Sequence, residues 1–398
     1  MTIRGAWVRT ARGAMLLSET GQQRPSIFAE MSALAVSTGA INLGQGFPDE
    51  DGPQEVLEAA RKAITDGVNQ YPPGRGMLVL REAIAAHQAR FYDLSFDPQT
   101  EVLVTAGATE ALTASVLALT DEGDEVVTFE PFYDLYGAVI ALANARHVTV
   151  PLRAPDFQPD PDELAAAISD RTRLIIVNDP HNPTGSVFSR ETLENIVRLA
   201  ERHDALIVTD EVYEHLSFSK PHIPIATIPG ARARTLSISS GGKTFNTTGW
   251  KIGWITAPAE LLEAVLAVKQ FLTYVNGAPF QPAIAVGLGL PKSFFQNAAG
   301  VLQGKRDLLA AGLTRAGFTV THPDGGYFII ADAAPLGFED AGDFCRKLPR
   351  LAGVVAVPVT AFVHEERASE YRSLVRFAYC KSMATIVDAS AKLMALSR

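Results

Sequence analysis

Cysteine is scarce in this chain: Cys345 and Cys380 are the only two in 398 residues. A disulfide framework is excluded, a thiolate zinc site lacks its ligands, and a reducing cytoplasm is the compartment that fits. Long apolar runs are missing as well. No segment reaches the roughly 20 residues a bilayer span requires, and the pair Leu16-Leu17 is too short for the core of a signal peptide. Positive charge is in deficit, with 35 Lys and Arg against 44 Asp and Glu and a net charge of −9. The basic residues are scattered, Arg4, Arg9, Arg12 and Arg24 being the nearest to a cluster, so no nucleic-acid surface is expected. There is no internal repeat and no low-complexity linker. No GxGxxG follows a strand, which removes the dinucleotide fingerprint.

What is present is an ordinary globular balance, 47% apolar and 20% charged, at a length that accommodates two domains. Residues 1–26 read as an extended or poorly ordered arm. Apolar spacing predicts a helix over Ile27–Val36, and Pro53 opens another that runs to about Asp66. From Glu101 to Thr209 short apolar runs alternate with amphipathic stretches. This predicts βαβ units and a largely parallel sheet, and runs such as Leu174-Ile-Ile-Val177 suit strands buried on both faces. Pro258–Tyr274 reads as one helix, and helical pattern then dominates from Pro282 to Ala316. Beyond Phe318 short strands between helices predict a smaller α+β domain.

Five constellations carry chemistry. Ser239-Ser-Gly-Gly-Lys243-Thr follows an alternating strand, Thr235–Ser240, so Lys243 lies just past a strand end, where open α/β sheets place ligands. A phosphate-binding P-loop would need glycine at position 237, which is Ser237. Asp210 ends an apolar strand and must find a cation, several donors or a helix N-terminus to cap. Tyr213 follows three residues on. Asn182, in His181-Asn-Pro-Thr-Gly185, sits in a turn past another strand end. Thr105-Ala-Gly-Ala-Thr109 joins a strand to a helix, an anion site by virtue of its N–H groups. Arg376 interrupts an apolar strand and requires either an internal carboxylate or an anionic ligand.

Together these motifs resemble those of class I/II aminotransferases of fold type I, which use pyridoxal 5′-phosphate (PLP). Within that family the chain is similar to the kynurenine, glutamine and methionine group, and above all to actinobacterial N-succinyldiaminopimelate aminotransferases. The resemblance runs from about Ile27 to the C-terminus. It rests on Asn42-Leu-Gly-Gln-Gly-Phe-Pro48, His181-Asn-Pro-Thr-Gly185, Asp210-Glu-Val-Tyr213 and Gly242-Lys-Thr-Phe…Thr248-Gly-Trp-Lys-Ile-Gly-Trp254. It implies a large domain, 48–290, with a mostly parallel seven-stranded sheet between helices, and a small α+β domain from 27–47 and 291–398.

The same resemblance implies roles for individual residues. Lys243 would form the Schiff base, Asp210 would pair with the pyridinium nitrogen, and Tyr213 and Asn182 would bond the ring oxygen. Tyr133 would stack on the ring, while Ala108, Thr109, Ser240 and Lys251 would hold the phosphate. Tyr71 would reach the site of a neighbouring subunit, which implies a homodimer with shared sites. Arg376 would grip the substrate α-carboxylate beside Gly46, Asn182 and Phe28. Phe28 stands where kynurenine-processing relatives have tryptophan, and Gly277 near where they have a partner-subunit histidine, so the side-chain pocket differs from theirs. No metal is implied. The expected reaction is transamination between an L-amino acid and a 2-oxo acid, N-succinyl-LL-diaminopimelate with 2-oxoglutarate in lysine biosynthesis. The alternatives are glutamine, methionine or kynurenine transamination, or β-elimination from cysteine S-conjugates. Arg75 could meet a distal substrate carboxylate, or lie on the surface. A transcription regulator of the same fold would need a DNA-binding module, for which the residues ahead of Ile27 are too few.

Overall fold

The computed structural model describes residues 3–18 and 20–397. Seven strands form the central sheet: β1 Val102–Ala106, β2 Glu125–Glu130, β3 Arg146–Pro151, β4 Thr172–Asn178, β5 Leu206–Asp210, β6 Thr235–Ser240 and β7 Ile252–Thr256. Their spatial order is β1-β7-β6-β5-β4-β2-β3. Strands β3, β2, β4, β5 and β6 pair in parallel, and only β7 runs antiparallel to its neighbours β6 and β1. Every residue of β2, β6 and β7 is buried, the condition that near-continuous apolar strands satisfy between two helix layers.

This arrangement decides where chemistry can sit. The C-terminal ends of β1, β4, β5 and β6 share one edge of the sheet, and the antiparallel β7 brings its N-terminal end there too. Register places Asn178 beside Asp210, Ser240 beside Gly253 and Ala106 beside Ile252. Residues far apart in sequence therefore meet at one rim.

A second lobe is built from both ends of the chain. Leu374–Ala378 and Phe328–Asp332 are the centre of a four-stranded antiparallel sheet, and Ile41–Asn42 pairs in parallel with Val354–Val355. Helices Ile27–Thr38, Lys292–Ala316, Ala341–Ala352 and Met383–Leu393 cover these strands. Their shared core includes Leu43, Leu309, Phe344 and Phe377 and continues into Val212 and Tyr213. The segment after Asp210 is thus packed by this lobe.

The structure departs from the sequence reading at four places. The stretch Pro282–Ala316 is two helices, Phe280–Leu288 and Lys292–Ala316, because Pro291 has no N–H with which to continue a helix. The helix expected over Pro258–Tyr274 spans only Ala259–Lys269. Glu110 captures the N–H and hydroxyl of Thr273, and the buried Lys269 ammonium binds the carbonyls of Gly74 and Tyr274, which draws the chain out of the helix. Helix Leu78–Tyr92 had no sequence expectation, since apolar residues occur all round it and no single face stands out.

The fourth change is at the N-terminus, where Ala6–Gly13 is a helix rather than an extended arm. It packs on helix Asp134–Leu142 at a glycine pair. A Cβ on Gly13 would lie 2.2 Å from the Gly137 carbonyl oxygen, and one on Gly137 would lie 2.3 Å from the Gly13 oxygen. Arg9 also donates to the Leu142 carbonyl at the end of the same helix, at 3.2 Å.

Candidate active site

A cavity of about 470 Å³ opens at the sheet rim between the two lobes. Lys243, Asp210, Tyr213, Asn182, Tyr133, Ala108, Thr109, Ser240, Lys251, Gly46, Phe28 and Arg376 all line it. Tyr71 alone of the expected site residues does not. It is 83% exposed on the surface, edge-on to Tyr274 with ring centres 5.7 Å apart.

Lys243 lies in the short helical turn Gly241–Thr244, which begins where β6 ends. Its Nζ donates to the Gly46 carbonyl at 3.0 Å. Enclosure within the site lowers the pKa of the amine, opposed by the nearby Cys380 and Asp210. Gly46 has no room for a side chain, because a Cβ there would meet the Phe328 ring at 2.3 Å.

Asp210 is buried at the tip of β5. Burial raises its pKa to about 6, against the opposing pull of the Tyr136 hydroxyl, the Val212 N–H and Lys243. One carboxylate oxygen, Oδ2, accepts from Tyr136 at 2.8 Å, and the other, Oδ1, is buried with no partner in the protein. The Asp210 carbonyl accepts from the Asn178 amide at 2.8 Å, and Asn178 Oδ1 in turn receives the N–H of Asn182 at 2.7 Å. Asp210 is therefore not the helix cap that its residue type also allowed.

Arg376 is 1% exposed on the strand Leu374–Ala378. It donates to Asn182 Oδ1 at 3.1 Å and to the Gly44 carbonyl at 2.8 Å, while its Nε has no partner. Among the described residues no carboxylate forms an ion pair with it. Phe328 and Phe362 face the guanidinium at 3.9 and 4.5 Å, and Phe28 at 5.3 Å. Burial lowers its pKa to about 10, so it stays charged at neutral pH. A buried, charged guanidinium without a counter-ion is a receptor for a carboxylate.

At the far end of the cavity Gly107 opens the helix Gly107–Leu119 with φ +72. Gly253 passes so close that a Cβ on it would sit 2.7 Å from the Ala108 nitrogen. Lys251 Nζ lies 3.2 Å from Thr109 Oγ1, above that helix start. N–H groups, hydroxyls and an ammonium converge there on an anion-sized space.

Sequence reasoning missed several contributors. Tyr136 has a sequence signal in hindsight, being three residues after Tyr133 and therefore on the same side of a helix. Phe328, Phe362 and Tyr327, whose hydroxyl binds the Lys243 carbonyl at 2.8 Å, come from the second lobe and no local pattern announces them. Arg75 is not in the cavity. It pairs with Glu263 on the surface.

Behind the rim a buried polar layer supports these residues. His222 donates to Asp179 at 2.9 Å with Glu211 at 3.9 Å, and these acids overcome the burial penalty to push its pKa up to about 10. His87, Glu214 and His215 also cluster, but the two histidine Nε2 atoms are 2.6 Å apart. Two nitrogens on one tetrahedral zinc would stand roughly 3.3 Å apart at ordinary bond lengths, so the contact is a hydrogen bond.

A model of the "Aminotransferase class I and II" family matches residues 38–389. The chain belongs to that family. It is 49% identical, over 96% of its length and 99% of the relative's, to a Mycobacterium tuberculosis protein named "Probable N-succinyldiaminopimelate aminotransferase". It is 37% identical to the methionine aminotransferase of Escherichia coli, with 95% and 98% of the two chains covered. Human kynurenine–oxoglutarate transaminase 3 is also 37% identical, with 93% and 87% covered. Among solved structures, N-succinyldiaminopimelate aminotransferase from M. tuberculosis superposes with a TM-score of 0.92 over the whole of both chains at 48% identity. Thermus thermophilus aspartate aminotransferase with maleate gives 0.87 at 31% identity, again over the whole of both chains. This aminotransferase has the fold of PLP-dependent enzymes of type I, and PLP is its cofactor.

The cavity fits that cofactor. The orphaned Asp210 oxygen calls for a protonated ring nitrogen, and the helix start beside Lys251 calls for a phosphate. No helix among the described residues is long and apolar enough to cross a membrane.

Proposed function

We propose that this aminotransferase exchanges an amino group between N-succinyl-LL-diaminopimelate and 2-oxoglutarate in lysine biosynthesis. The 49% identity to the M. tuberculosis relative over nearly the full length of both chains supports that substrate pair. The observation that carries the reaction class is the disposition of Lys243, Asp210 and Arg376 around one cavity. These are an amine with a lowered pKa, a carboxylate with a free oxygen and an unpaired guanidinium.

Asp210 would hold the proton of the ring nitrogen, Tyr213 and Asn182 the ring oxygen, and Tyr133 the ring face. Ala108, Thr109, Ser240 and Lys251 would hold the phosphate, with Tyr71 of the partner subunit completing its shell. Bound PLP supplies an electron sink for negative charge at the substrate Cα. Arg376 binds the α-carboxylate, assisted by Asn182 and the Gly46 segment, and so aims the Cα–H bond at Lys243. Lys243 takes that proton on Nζ and later gives it back, base then acid, a role that its lowered pKa favours. Amino and oxo acids use the same Arg376 in turn, so ping-pong kinetics follow.

Tyr71 and Phe271 are 83% and 84% exposed, and the ring of Tyr274 lies edge-on to that of Tyr71 on the same surface. This supports a homodimer in which each chain completes the other's site. We place the protein in the cytoplasm, in keeping with two buried, unpaired cysteines. The proposed division is an N-terminal arm (1–26) that contains the docked helix Ala6–Gly13, a small domain (27–47 and 291–398) and a large cofactor-binding domain (48–290).

A second reading has its own observation. Phe28, Phe328 and Phe362 wall the substrate end with aromatic rings, and Arg75 is engaged by Glu263 outside the cavity rather than turned to a distal carboxylate. That favours glutamine, methionine or kynurenine as amino donor. A half-reaction screen decides: N-succinyl-diaminopimelate, glutamate, glutamine, methionine and kynurenine are each mixed with the holoenzyme while the cofactor spectrum is followed. The fastest conversion should come from N-succinyl-diaminopimelate, and a spectrum unmoved by it overturns the first reading.

A further inference from the structure

We propose that Tyr136 is a positioning residue for amino transfer: its hydroxyl locks one oxygen of Asp210 and thereby presents the other to the ring nitrogen of the cofactor. The inference rests on the reading of Asp210 given above. Tyr136 is 2% exposed and does not line the cavity, so it acts through Asp210. It sits in the first turn of helix Asp134–Leu142, one turn after Tyr133, and the two rings stand at 89° with centres 5.8 Å apart. One ring faces the cavity while the other reaches beneath it to the tip of β5.

The main chain of Asp210 is fixed by Asn178 and by the Asp179 N–H, which reaches its carbonyl at 3.2 Å. Its carboxylate still has freedom about the terminal torsion, which is broad for aspartate. Tyr136 is the side chain that removes that freedom, at 2.8 Å on Oδ2, while Oδ1 stays bare. Without Tyr136 the buried carboxylate keeps only the Val212 N–H and Lys243 in favour of its charge and shifts toward its protonated form, which has no negative charge with which to hold a pyridinium. The titratable groups facing Asp210 are Lys243 from the Gly241–Thr244 turn, Glu211 and Tyr213 from the segment after β5, and Tyr133 and Tyr136 from the helix. Lys243 favours the carboxylate and Glu211 opposes it.

The test is Tyr136→Phe, which deletes one oxygen. PLP affinity is measured by titrating the apoenzyme, and the pH dependence of the bound cofactor's visible absorbance is recorded. The dissociation constant should rise about tenfold, the worth of one hydrogen bond to a charged group. The acidic limb of the absorbance profile should move to higher pH, because the carboxylate loses a donor that favours its charged form. In an Asp210→Asn background the same substitution should change neither quantity further. Val139→Ala, on the same helix but without polar contact, should lower the melting temperature and leave the profile in place. Wild-type affinity with an unmoved profile in Tyr136→Phe overturns the proposal. So does an equal loss in the Asp210→Asn background, or a profile shift in Val139→Ala. If Asp210→Asn alone keeps wild-type cofactor affinity and turnover, the role of Asp210 falls, and that of Tyr136 with it.

Discussion

The hydroxyl of Tyr327 lies 2.8 Å from the main-chain carbonyl of Lys243, so the backbone of the central lysine is fastened by the second lobe. The lysine side chain is held from the same direction by the carbonyl of Gly46. The amine of Lys243 is therefore placed at the junction of the lobes and not by β6 alone.

Removing the amine should abolish the chemistry while leaving the rest of the site. Lys243→Ala should lose nearly all turnover and the visible absorbance of the bound cofactor. Arg376→Ala should keep the coloured cofactor but raise KM for amino and oxo acids on the order of 100-fold, the value of a charge-assisted two-point contact. Steady-state kinetics and absorbance spectra check both, and a colourless Arg376→Ala protein would contradict its substrate role.

Gly46→Ala tests the close approach to Phe328. The added methyl cannot fit beside that ring without moving the backbone whose carbonyl holds Lys243. Overpacking of this kind costs about 1–3 kcal/mol. Melting temperature and kcat should fall together, and Phe328→Leu in the same chain should recover part of the loss.

The proposed sharing of sites between subunits predicts complementation. Lys243→Ala and Tyr71→Ala homodimers are each impaired, but a hybrid of the two has one site with both native residues. After random reassortment the mixture should regain about a quarter of wild-type activity, since half the dimers are hybrids with one good site. If mixing restores nothing, Tyr71 serves its own subunit or none.

His222 makes stability depend on pH in a defined direction. Its folded-state pKa, about 10, lies above the ordinary histidine value near 6.5. The folded form therefore holds a proton that the unfolded chain releases. The resulting stabilisation is complete below about pH 6.5 and is lost progressively as pH rises to about 10. Urea unfolding of wild type and His222→Gln should differ most at pH 6 and converge by pH 10. A gap that widens with pH would refute the buried imidazolium.

Much of this site was legible because its residues lie at strand ends, where apolar periodicity stops and an out-of-place polar residue stands out. Lys243, Asp210 and Asn182 each follow a run that reads as a buried strand, and Arg376 breaks one. The sheet was legible for the same reason, as strands buried on both faces leave continuous apolar text. The split at Pro291 could have been read from proline alone. The shortened helix after Pro258 could not, because it depends on Glu110 and Lys269, whose partners lie far away in sequence. The aromatic cage around Arg376 is likewise a product of tertiary packing. Phe28, Phe328 and Phe362 lie on three separate elements, and no period links them.

The glycine contact between Gly13 and Gly137 gives the N-terminal helix a reach beyond its own position. Helix Asp134–Leu142 carries Tyr136 and starts directly after Tyr133, and it is gripped from outside by a segment that precedes every strand of the sheet. Any bulk added at either glycine pushes on the scaffold that carries Tyr136 and, at the cavity wall, Tyr133. A truncation or fusion that displaces residues 6–13 is in that sense an alteration of the catalytic cavity, made from the opposite side of its wall.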